Sequence, residues 1–374
     1  MSAENDTPAA MLSGLRVIEV EGLGPAPFAA MMLADLGADV ITLHRKQGGD
    51  RVTPEASLLD RGKRSITLDL KDADDLATAQ ALIDGADVLI EGFRPGVMER
   101  LGLGPADCHA RNPALVYGRM TGWGQTGPRA DRAGHDLNYI ATSGALWYAS
   151  EPGTPPITPA TLLGDIGGGA LYLVVGLLSG LLNARATGHG TVVDAAIVDG
   201  SAHMMALLMA IRQSGQFSMD RGQSLLDGPH WSRSYRCADG GFITVQALEG
   251  KFYAAFLEKM DLTDDPDFQR QHDARLWPAL TGRLADIFAG QPREHWADLF
   301  EGSDACVAAV RSPQEAAQEP HMAFRGVWQS PEGVLQPSPA PRFDGQAPAL
   351  NPAPRRGEHT DEVRAELQRP GRGR

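Results

Sequence analysis

Between residues 15 and 120 the sequence alternates short runs rich in β-branched residues with segments of helical character. The predicted strands are 16–20, 39–43, 87–90 and 115–119, and the predicted helices include 28–36 and 73–83. Strands that are separated by helices form right-handed βαβ crossovers, which build a parallel sheet covered on both faces. The alternation therefore predicts an α/β domain.

The pattern changes in the middle of the chain. Residues 192–198 predict a further strand and 201–211 a methionine-rich helix, followed by a hairpin at 235–245 and helices at 252–260 and 277–288. The hairpin is predicted to turn at Asp239 and Gly240. Residues 327–341 are rich in proline and glycine. We therefore predict domain boundaries near 200–230 and 320–340, with a smaller domain between them.

The charge of the chain limits its partners. The formal net charge of −13 over 374 residues argues against a sequence-independent nucleic-acid binder, since such a protein needs a basic surface that displaces counterions from phosphates. A few local arginines and lysines could still hold a small anionic ligand. We therefore expect no nucleic-acid partner.

Three observations favour a soluble protein of the cytoplasm. Cys108, Cys237 and Cys306 lie far apart, without the spacing of a disulfide framework or a zinc site. The first twelve residues lack the basic and then apolar pattern of a signal peptide. The longest apolar run, 170–182, is too short to span a bilayer, so we expect it to form a buried helix.

A glycine-rich segment, Gly164-Asp-Ile-Gly-Gly-Gly169, precedes this apolar run. An aspartate at the start of a helix is often only an N-cap. Three successive glycines favour a second interpretation, in which a ligand approaches the bare backbone N–H groups of the first turn. Such donors could stabilise the oxygen of an enolate or a thioester.

Other polar residues have an ordinary and a functional interpretation. His135 stands beside an acid, a pair that is usually structural, and Glu249 could be a solvated acid at a helix N-terminus. Cations follow the early strands at Arg45, Lys63, Arg64, Lys71 and Arg94. Such cations are usually surface residues, but strand ends of an open α/β sheet are also where phosphates bind.

Seven segments, in this order and at these separations, resemble the α-methylacyl-CoA racemases, which lie within the family III CoA-transferase superfamily. The likeness runs from about residue 15 to residue 343, and one motif lies beyond it. The segments are Gly14-Leu-Arg-Val-Ile-Glu-Val20, Gly62-Lys-Arg-Ser-Ile-Thr-Leu-Asp-Leu70, Glu91-Gly-Phe-Arg-Pro-Gly-Val97, Met120-Thr-Gly-Trp-Gly-Gln125, Ala133-Gly-His-Asp-Leu-Asn-Tyr139, Gly164-Asp-Ile-Gly-Gly-Gly169 and Arg356-Gly-Glu-His-Thr360.

This resemblance implies an interlocked homodimer. Each chain would have a Rossmann-like large domain, its parallel sheet built from both chain ends at 1–199 and 339–374, and a smaller α+β domain at 230–320. Residues 200–229 would form a linker helix and 321–338 a second linker. Coenzyme A would bind on the large domain, and the active site would form against the small domain of the partner.

The resemblance also implies roles for individual residues. His135 and Asp165 would be the acid/base pair, with Glu249 supporting His135 from the partner chain. The positions that would contact coenzyme A or line the site are Arg45, Lys63, Arg64, Thr67, Leu68, Asp69, Leu70, Arg94, Ala133, Gly134, Asp136, Leu137, Asn138 and Tyr139. Neither a metal ion nor a separate cofactor is expected, because coenzyme A is part of the substrate.

The implied reaction interconverts the (R)- and (S)-epimers of a 2-methylacyl-CoA thioester by 1,1-proton transfer through an enolate. Histidine suits this chemistry because its ordinary pKa lies near neutrality. Asp165 must be protonated in one of the two states, so we expect its surroundings to raise its pKa. Thr161 stands where close relatives often carry asparagine, and its hydroxyl can replace only one of the two hydrogen bonds of an amide.

Two alternatives share the fold. A CoA-transferase of the same superfamily would use Asp165 as a nucleophile, but those enzymes generally lack a histidine at position 135 and the pattern around Glu249. A catalytically inactive CoA-binding paralogue is the second alternative. The presence of His135, Asp165 and Glu249 argues against it.

Overall fold

The computed structural model describes residues 10–46 and 57–369, and the chain divides into two units. Unit 1 contains Met1–Ala145, Pro159–Met204 and Gln329–Arg374, and unit 2 contains Leu146–Thr158 and Met205–Trp328. Residues 1–9, most of the segment in which we predict no signal peptide, lie outside the described residues.

One segment is placed differently from the predicted boundaries. Residues 146–158 were assigned to the first domain, within 1–199, but they belong to unit 2. The indole N–H of Trp147 donates to the carbonyl of Met219 (2.8 Å), and the ring of Tyr148 packs on that of Phe217 with 4.6 Å between centroids. These contacts join residues about 70 positions apart, which local sequence patterns do not show.

Unit 1 is built on a six-stranded sheet with the order β3-β2-β1-β4-β5-β6, and its strands pair in parallel. The strands are β1 (Arg16–Val20), β2 (Asp39–Arg45), β3 (Arg64–Leu68), β4 (Val88–Glu91), β5 (Val116–Thr121) and β6 (Val192–Ala196). The helices are α1 (Pro25–Asp35), α2 (Ala73–Asp84), α3 (Val97–Arg100), α4 (Pro105–Arg111), α5 (Asp136–Ser143), α6 (Leu171–Thr187) and α7 (Ile197–Met204). A π-helical segment, Leu162–Ala170, runs directly into α6. The predicted α/β fold is confirmed.

The strands of this sheet are apolar because both of its faces are covered. Val17 and Ile18, successive residues of β1, are both fully buried but belong to different apolar clusters. The cluster around Val17 includes α1 and α6, and the cluster around Ile18 includes α2 and α4. Alternate side chains of a strand point to opposite faces, so each strand contributes to two cores.

The apolar run before β6 is only partly buried. The helical stretch Leu162–Thr187 is long and apolar enough, by length and composition, to cross a membrane. Leu173 and Leu177 pack so closely on β5 that a Cβ atom on Gly118 would lie within about 3 Å of both. The opposite face, however, leaves Val175 and Leu182 63% and 70% exposed. The expected buried helix is therefore a helix that packs on the sheet with one face only.

Unit 2 combines helices with a small antiparallel sheet, β7-β8-β9. Its elements are α8 (Ala206–Gln213), β7 (Ser232–Arg236), β8 (Phe242–Gln246), α9 (Gly250–Lys259), α10 (Trp277–Phe288), α11 (Arg293–Phe300), β9 (Val307–Ala309), α12 (Pro313–Ala316) and α13 (Pro320–Phe324). The hairpin turns at Gly240, whose φ of +82° suits glycine. The methionine-rich helix predicted at 201–211 is instead two helices, α7 and α8, interrupted at Met205.

The C-terminal segment covers the edge of the large sheet. Its elements are the paired strands β10 (Trp328–Gln329) and β11 (Gln336–Pro337) and the helix α14 (Thr360–Gln368). Within the described residues it adds no strand to the six-stranded sheet, contrary to the expectation that both chain ends build it. The backbone of β3 is bonded instead by side chains, since the N–H of Thr67 donates to Thr360 Oγ1 (3.1 Å). The C-terminal segment thereby covers the open edge of the sheet without adding another strand.

Candidate active site

Two neighbouring cavities open near the carboxyl ends of the parallel strands. The acid–base cavity has a volume of about 470 Å³ and is lined by Glu21–Ala26, Arg45, Gly92, Phe93, Met120–Gly122, Gly134, His135, Tyr139, Asp165 and Ile197. The strand-end cavity has a volume of about 780 Å³. Glu21, Arg45 and Phe93 line both. This edge of an open α/β sheet is where ligands bind.

His135 enters the acid–base cavity from the residue that precedes α5. Its backbone N–H donates to Asn138 Oδ1 at 3.0 Å, which fixes the start of the helix. The neighbouring Gly134 has no room for a side chain, because a Cβ atom there would lie 2.7 Å from the ring of Tyr139. The Tyr139 hydroxyl also donates to the carbonyl of Gly134. The imidazole is exposed to solvent on a backbone that these contacts hold in place.

Asp165 lies in the first turn of the π-helical segment, but it is not the N-cap, a position that Thr161 occupies. The segment begins after Thr161, whose φ of +61° is unusual for a β-branched residue. π-helical turns are rare and often occur at functional sites. Asp165 approaches the start of α1 so closely that a Cβ atom on Gly24 would lie 3.6 Å from its Oδ2.

A second carboxylate, that of Asp136, supports Asp165. Asp136 is buried, and its Oδ1 accepts hydrogen bonds from the backbone N–H groups of Gly164 (2.9 Å) and Asp165 (2.8 Å). Its Oδ2 is buried and has no hydrogen-bond partner among the described residues. Burial first, and then the charge of Asp136, raise the pKa of Asp165 to about 6 against the opposing charge of His135. The expected raised pKa is therefore present.

The glycines around Asp165 serve packing and not ligand approach. A Cβ atom on Gly168 would lie 2.3 Å from Ser201 Oγ, and one on Gly200 would lie 1.9 Å from the carbonyl oxygen of Gly168. Glycine at both positions lets the π-helical segment and α7 touch backbone to backbone. The amides of Gly164 and Asp165 are already bonded to Asp136. The interpretation of the glycine run as open donors for an enolate is therefore not supported.

The strand-end cavity contains part of the predicted CoA-binding set. Arg45, Leu68, Asp69, Leu70 and Lys71 line it, together with Val20, Glu21, Leu43, His44, Lys46, Phe93, Val97 and Leu101. Arg45 and Lys46 are exposed at the end of β2. Arg94 is exposed beside Phe93 but is not part of either lining.

Lys63, Arg64 and Thr67 are occupied elsewhere. The ammonium group of Lys63 is fully buried and donates to Glu19 Oε2 (2.7 Å) and to the carbonyl of Pro27 (3.2 Å). Arg64 is paired with Asp39, at 2.8 Å between its Nη2 and the Oδ2 atom. Thr67 belongs to the edge that the C-terminal segment covers. We therefore place these three residues in the support of the sheet and not in the cavity lining.

The remaining predicted residues separate into two groups. Ala133, Leu137 and Asn138 are exposed and flank His135 without appearing in the lining of the acid–base cavity. Glu249 belongs to unit 2, where it is exposed at the residue before α9.

Two residues that line both cavities were missed by sequence analysis. Glu21 immediately follows β1, and Phe93 lies two residues after the end of β4. Their position close after predicted strands was an available signal, since strand ends carry the ligands of such sheets. Within residues 10–46 and 57–369, no group of three or more His, Cys, Asp or Glu side chains is placed to hold a metal ion.

The arrangement can transfer protons. An imidazole and a carboxyl line one cavity, and the carboxyl, with its pKa raised to about 6, is able to exist as acid or base near neutral pH.

Comparison with known proteins identifies the family of this chain. The chain is 39% identical to a human α-methylacyl-CoA racemase over 95% of its own length and 93% of the relative's. It is 30% identical to an acetyl-CoA:oxalate CoA-transferase of Acetobacter aceti over 97% of both chains. The crystal structure of a CaiB/BaiF family protein from Brucella suis superposes with a TM-score of 0.81 at 28% identity, covering 96% of this chain and 99% of that one. Residues 12–360 match the sequence model of CoA-transferase family III, and the chain belongs to this family.

Proposed function

We propose that this protein is a 2-methylacyl-CoA racemase, an isomerase that interconverts the (R)- and (S)-epimers by moving the α-proton. The observation that carries the proposal is the placement of His135 and Asp165 in the lining of one cavity, with the pKa of Asp165 raised to about 6. Inversion of a carbon needs one group that removes a proton and another that delivers a proton to the opposite face.

In each direction one group of the pair acts as base and the other as acid. The base takes the α-proton, and the electron pair of the broken C–H bond passes into the thioester to give an enolate. The acid then protonates the α-carbon from the opposite face. The reverse reaction exchanges the two roles. A pKa of about 6 leaves Asp165 mostly ionised at neutral pH but still able to carry the proton when the cycle requires it.

The strand-end cavity beside this pair is the proposed site of coenzyme A. Arg45, at the border of both cavities, could bind a phosphate or the pantetheine amide region while the thioester enters the acid–base cavity. No separate cofactor takes part in this scheme.

The runner-up is CoA transfer between carboxylic acids, with Asp165 as the nucleophile. Two observations favour the racemase. Identity is 39% to the human racemase against 30% to the oxalate transferase. A nucleophilic aspartate has no need of an imidazole in the same cavity, whereas two-base proton transfer requires a second group, and His135 supplies it.

Incubation in heavy water distinguishes the two functions. Either epimer of a 2-methylacyl-CoA is expected to gain deuterium at the α-carbon, and both are expected to converge on a near-equal mixture without any added acid. Mass spectrometry measures the exchange, and chiral chromatography of the released acids measures the inversion. Transfer of CoA to an added carboxylate, with no α-exchange, would overturn the racemase proposal and support the runner-up.

The proposal includes a homodimer in which Glu249 of one subunit supports His135 of the other. The exposed residues Leu171, Val175 and Leu182 of α6 support it, since they follow the spacing of a single helix face and leave a stripe of apolar surface uncovered.

Substitution in this stripe tests the dimer. Val175→Glu is expected to shift the molar mass in light scattering from dimer to monomer, because a buried carboxylate without a partner is costly at an interface. Activity should fall with it. Thr187→Glu, at an exposed position in the last turn of the same helix but away from the stripe, is the matched control and should remain dimeric. A wild-type protein that is a fully active monomer would contradict the proposal.

We also propose that the enzyme works in the cytoplasm, with no nucleic-acid or membrane partner. The unpaired state of Cys108, Cys237 and Cys306 supports a reducing compartment.

A further inference from the structure

The strand that carries Arg45 extends beyond its neighbour in the sheet. The last residue of β1, Val20, pairs with Leu43 of β2, whereas β2 continues to Arg45. On the side of β3, Arg45 still pairs with Leu68. On the side of β1 no strand remains to bond its backbone. The backbone N–H and C=O groups at such a strand end need other hydrogen-bond partners, or the strand end frays.

Two side chains take the place of the missing strand. Glu21 Oε2 accepts a hydrogen bond from the backbone N–H of Arg45 at 2.8 Å. Arg356 donates to the carbonyl oxygen of Arg45 from Nη2 (2.8 Å) and Nε (3.2 Å). Both backbone polar groups of Arg45 are therefore held by side chains from distant parts of the sequence.

The two side chains also hold each other. Arg356 binds the Glu21 carboxylate through both terminal nitrogens, with Nη1–Oε1 at 2.6 Å and Nη2–Oε2 at 2.8 Å. This fork geometry is available to arginine but not to lysine. His44 Nδ1 lies 3.5 Å from Glu21 Oε1. Glu21 is thus fixed on two sides before it contacts Arg45.

The ion pair also removes an electrostatic conflict. Glu21 lines both cavities, and a free carboxylate there would repel an anionic ligand. Burial opposes ionisation of Glu21, but hydrogen bonds from His44 and Arg356 outweigh it, and the pKa lies well below the usual range. Because the guanidinium of Arg356 neutralises this permanent charge, the Arg45 side chain can face a phosphate without competition from the Glu21 carboxylate.

We propose that Glu21 and Arg356 are positioning residues that fix the end of β2, so that Arg45 is held for the phosphate-bearing part of a CoA thioester. This inference rests on the proposed function, since it takes the ligand at Arg45 to be coenzyme A. It assigns the C-terminal segment a role in ligand binding, although Arg356 itself lines neither cavity.

Titration calorimetry with free coenzyme A tests the proposal in the full-length protein. Arg356→Ala is expected to weaken binding roughly tenfold, as is typical for loss of charge-assisted hydrogen bonds. Arg356→Lys should show much of this loss while keeping the charge. A lysine ammonium group lacks the planar fork with which Arg356 binds both oxygens of Glu21 and the carbonyl of Arg45. Arg355→Ala is the matched control. That side chain is 79% exposed and forms a 4.0 Å ion pair with Glu358, so its removal should change affinity less than about twofold.

A double substitution separates positioning from general support of the fold. In an Arg45→Ala background, Arg356→Ala should cause no further loss of affinity, because the group that it positions is absent. In kinetics, the defect of Arg356→Ala should appear in KM more than in kcat. Additive losses in the double variant, or unchanged affinity in Arg356→Ala, would overturn the positioning role alone. A wild-type protein that binds no coenzyme A would overturn the proposed function as well.

Discussion

Replacement of Asp165 by asparagine is expected to slow racemisation of both epimers by about a thousandfold, the range typical of losing a general acid–base group. Asparagine has nearly the same shape, but its amide neither gains nor loses a proton in this pH range. Inversion therefore loses the proton carrier of one face. Racemisation is measured by chiral chromatography at saturating substrate. Asp107→Asn is the matched control, because that aspartate is exposed in the first turn of α4, outside both cavities.

The pH dependence gives this prediction a sign. Inversion in either direction needs the pair to hold a single proton, on Asp165 for one epimer and on His135 for the other. As the pH drops below about 6, Asp165 becomes protonated, and a pair in which both groups are protonated has no base, so kcat/KM should fall for both epimers alike. The two epimers must share this acid limb, because the near-equal equilibrium between them does not depend on pH.

Asp136→Asn should move this acid limb to lower pH for both epimers. An amide oxygen can still accept the hydrogen bonds from Gly164 and Asp165, but the charge that helps to raise the pKa of Asp165 is removed. Burial remains as the larger cause, so the pKa should stay above the ordinary value. A profile that does not move would show that the charge of Asp136 has no influence on Asp165.

The large domain was predictable because its signals are local. The strand predicted at 16–20 is β1 to the residue, since Val17, Ile18 and Val20 form the β-branched, buried run of a strand that is covered on both faces. The helix predicted at 73–83 matches α2, which Asp72 caps by accepting from the N–H groups of Asp74 and Asp75. Strand burial and helix capping each produce a sequence pattern that spans only a few residues.

The role of the glycine run was not predictable in the same way. A bare backbone is equally suited to a ligand and to a neighbouring helix, and only the close approach of Gly168 to Gly200 decides between them. The π-helical geometry around Asp165 is likewise tied to the hydrogen bonds that the N–H groups of Gly164 and Asp165 donate to Asp136, 28 and 29 residues away. No periodicity in the sequence reports such contacts.

The cations show the same limit. Arg45 and Lys63 were both among the cations expected near strand ends. The family resemblance assigned both of them to the binding of coenzyme A or the lining of the site. In the fold, Arg45 is exposed at the border of two cavities, whereas Lys63 is buried against Glu19. The sequence therefore indicated which cations could bind an anion. Only the direction of each side chain in the fold shows which of them faces a cavity.

His135→Ala is expected to abolish inversion while leaving one epimer able to exchange its α-proton. Asp165 would still remove the proton from the face that it reaches and could return a deuteron from the solvent to that same face. The product would keep its configuration and gain deuterium. The α-hydrogen of the other epimer faces the position from which the imidazole has been removed. Both its exchange and its inversion should therefore be slower than in the wild type by about a thousandfold or more.

Asp165→Asn should give the complementary pattern, with His135 exchanging only the epimer that is inert in His135→Ala. Nuclear magnetic resonance of the α-hydrogen measures the exchange in heavy water, and chiral analysis of the same samples reports configuration. This pair of results would assign each group to one face, which loss of activity alone does not do. If His135→Ala exchanges both epimers at equal rates, a single base serves both faces, and the two-base mechanism is wrong. If it inverts at the wild-type rate, the second proton carrier is a residue other than His135.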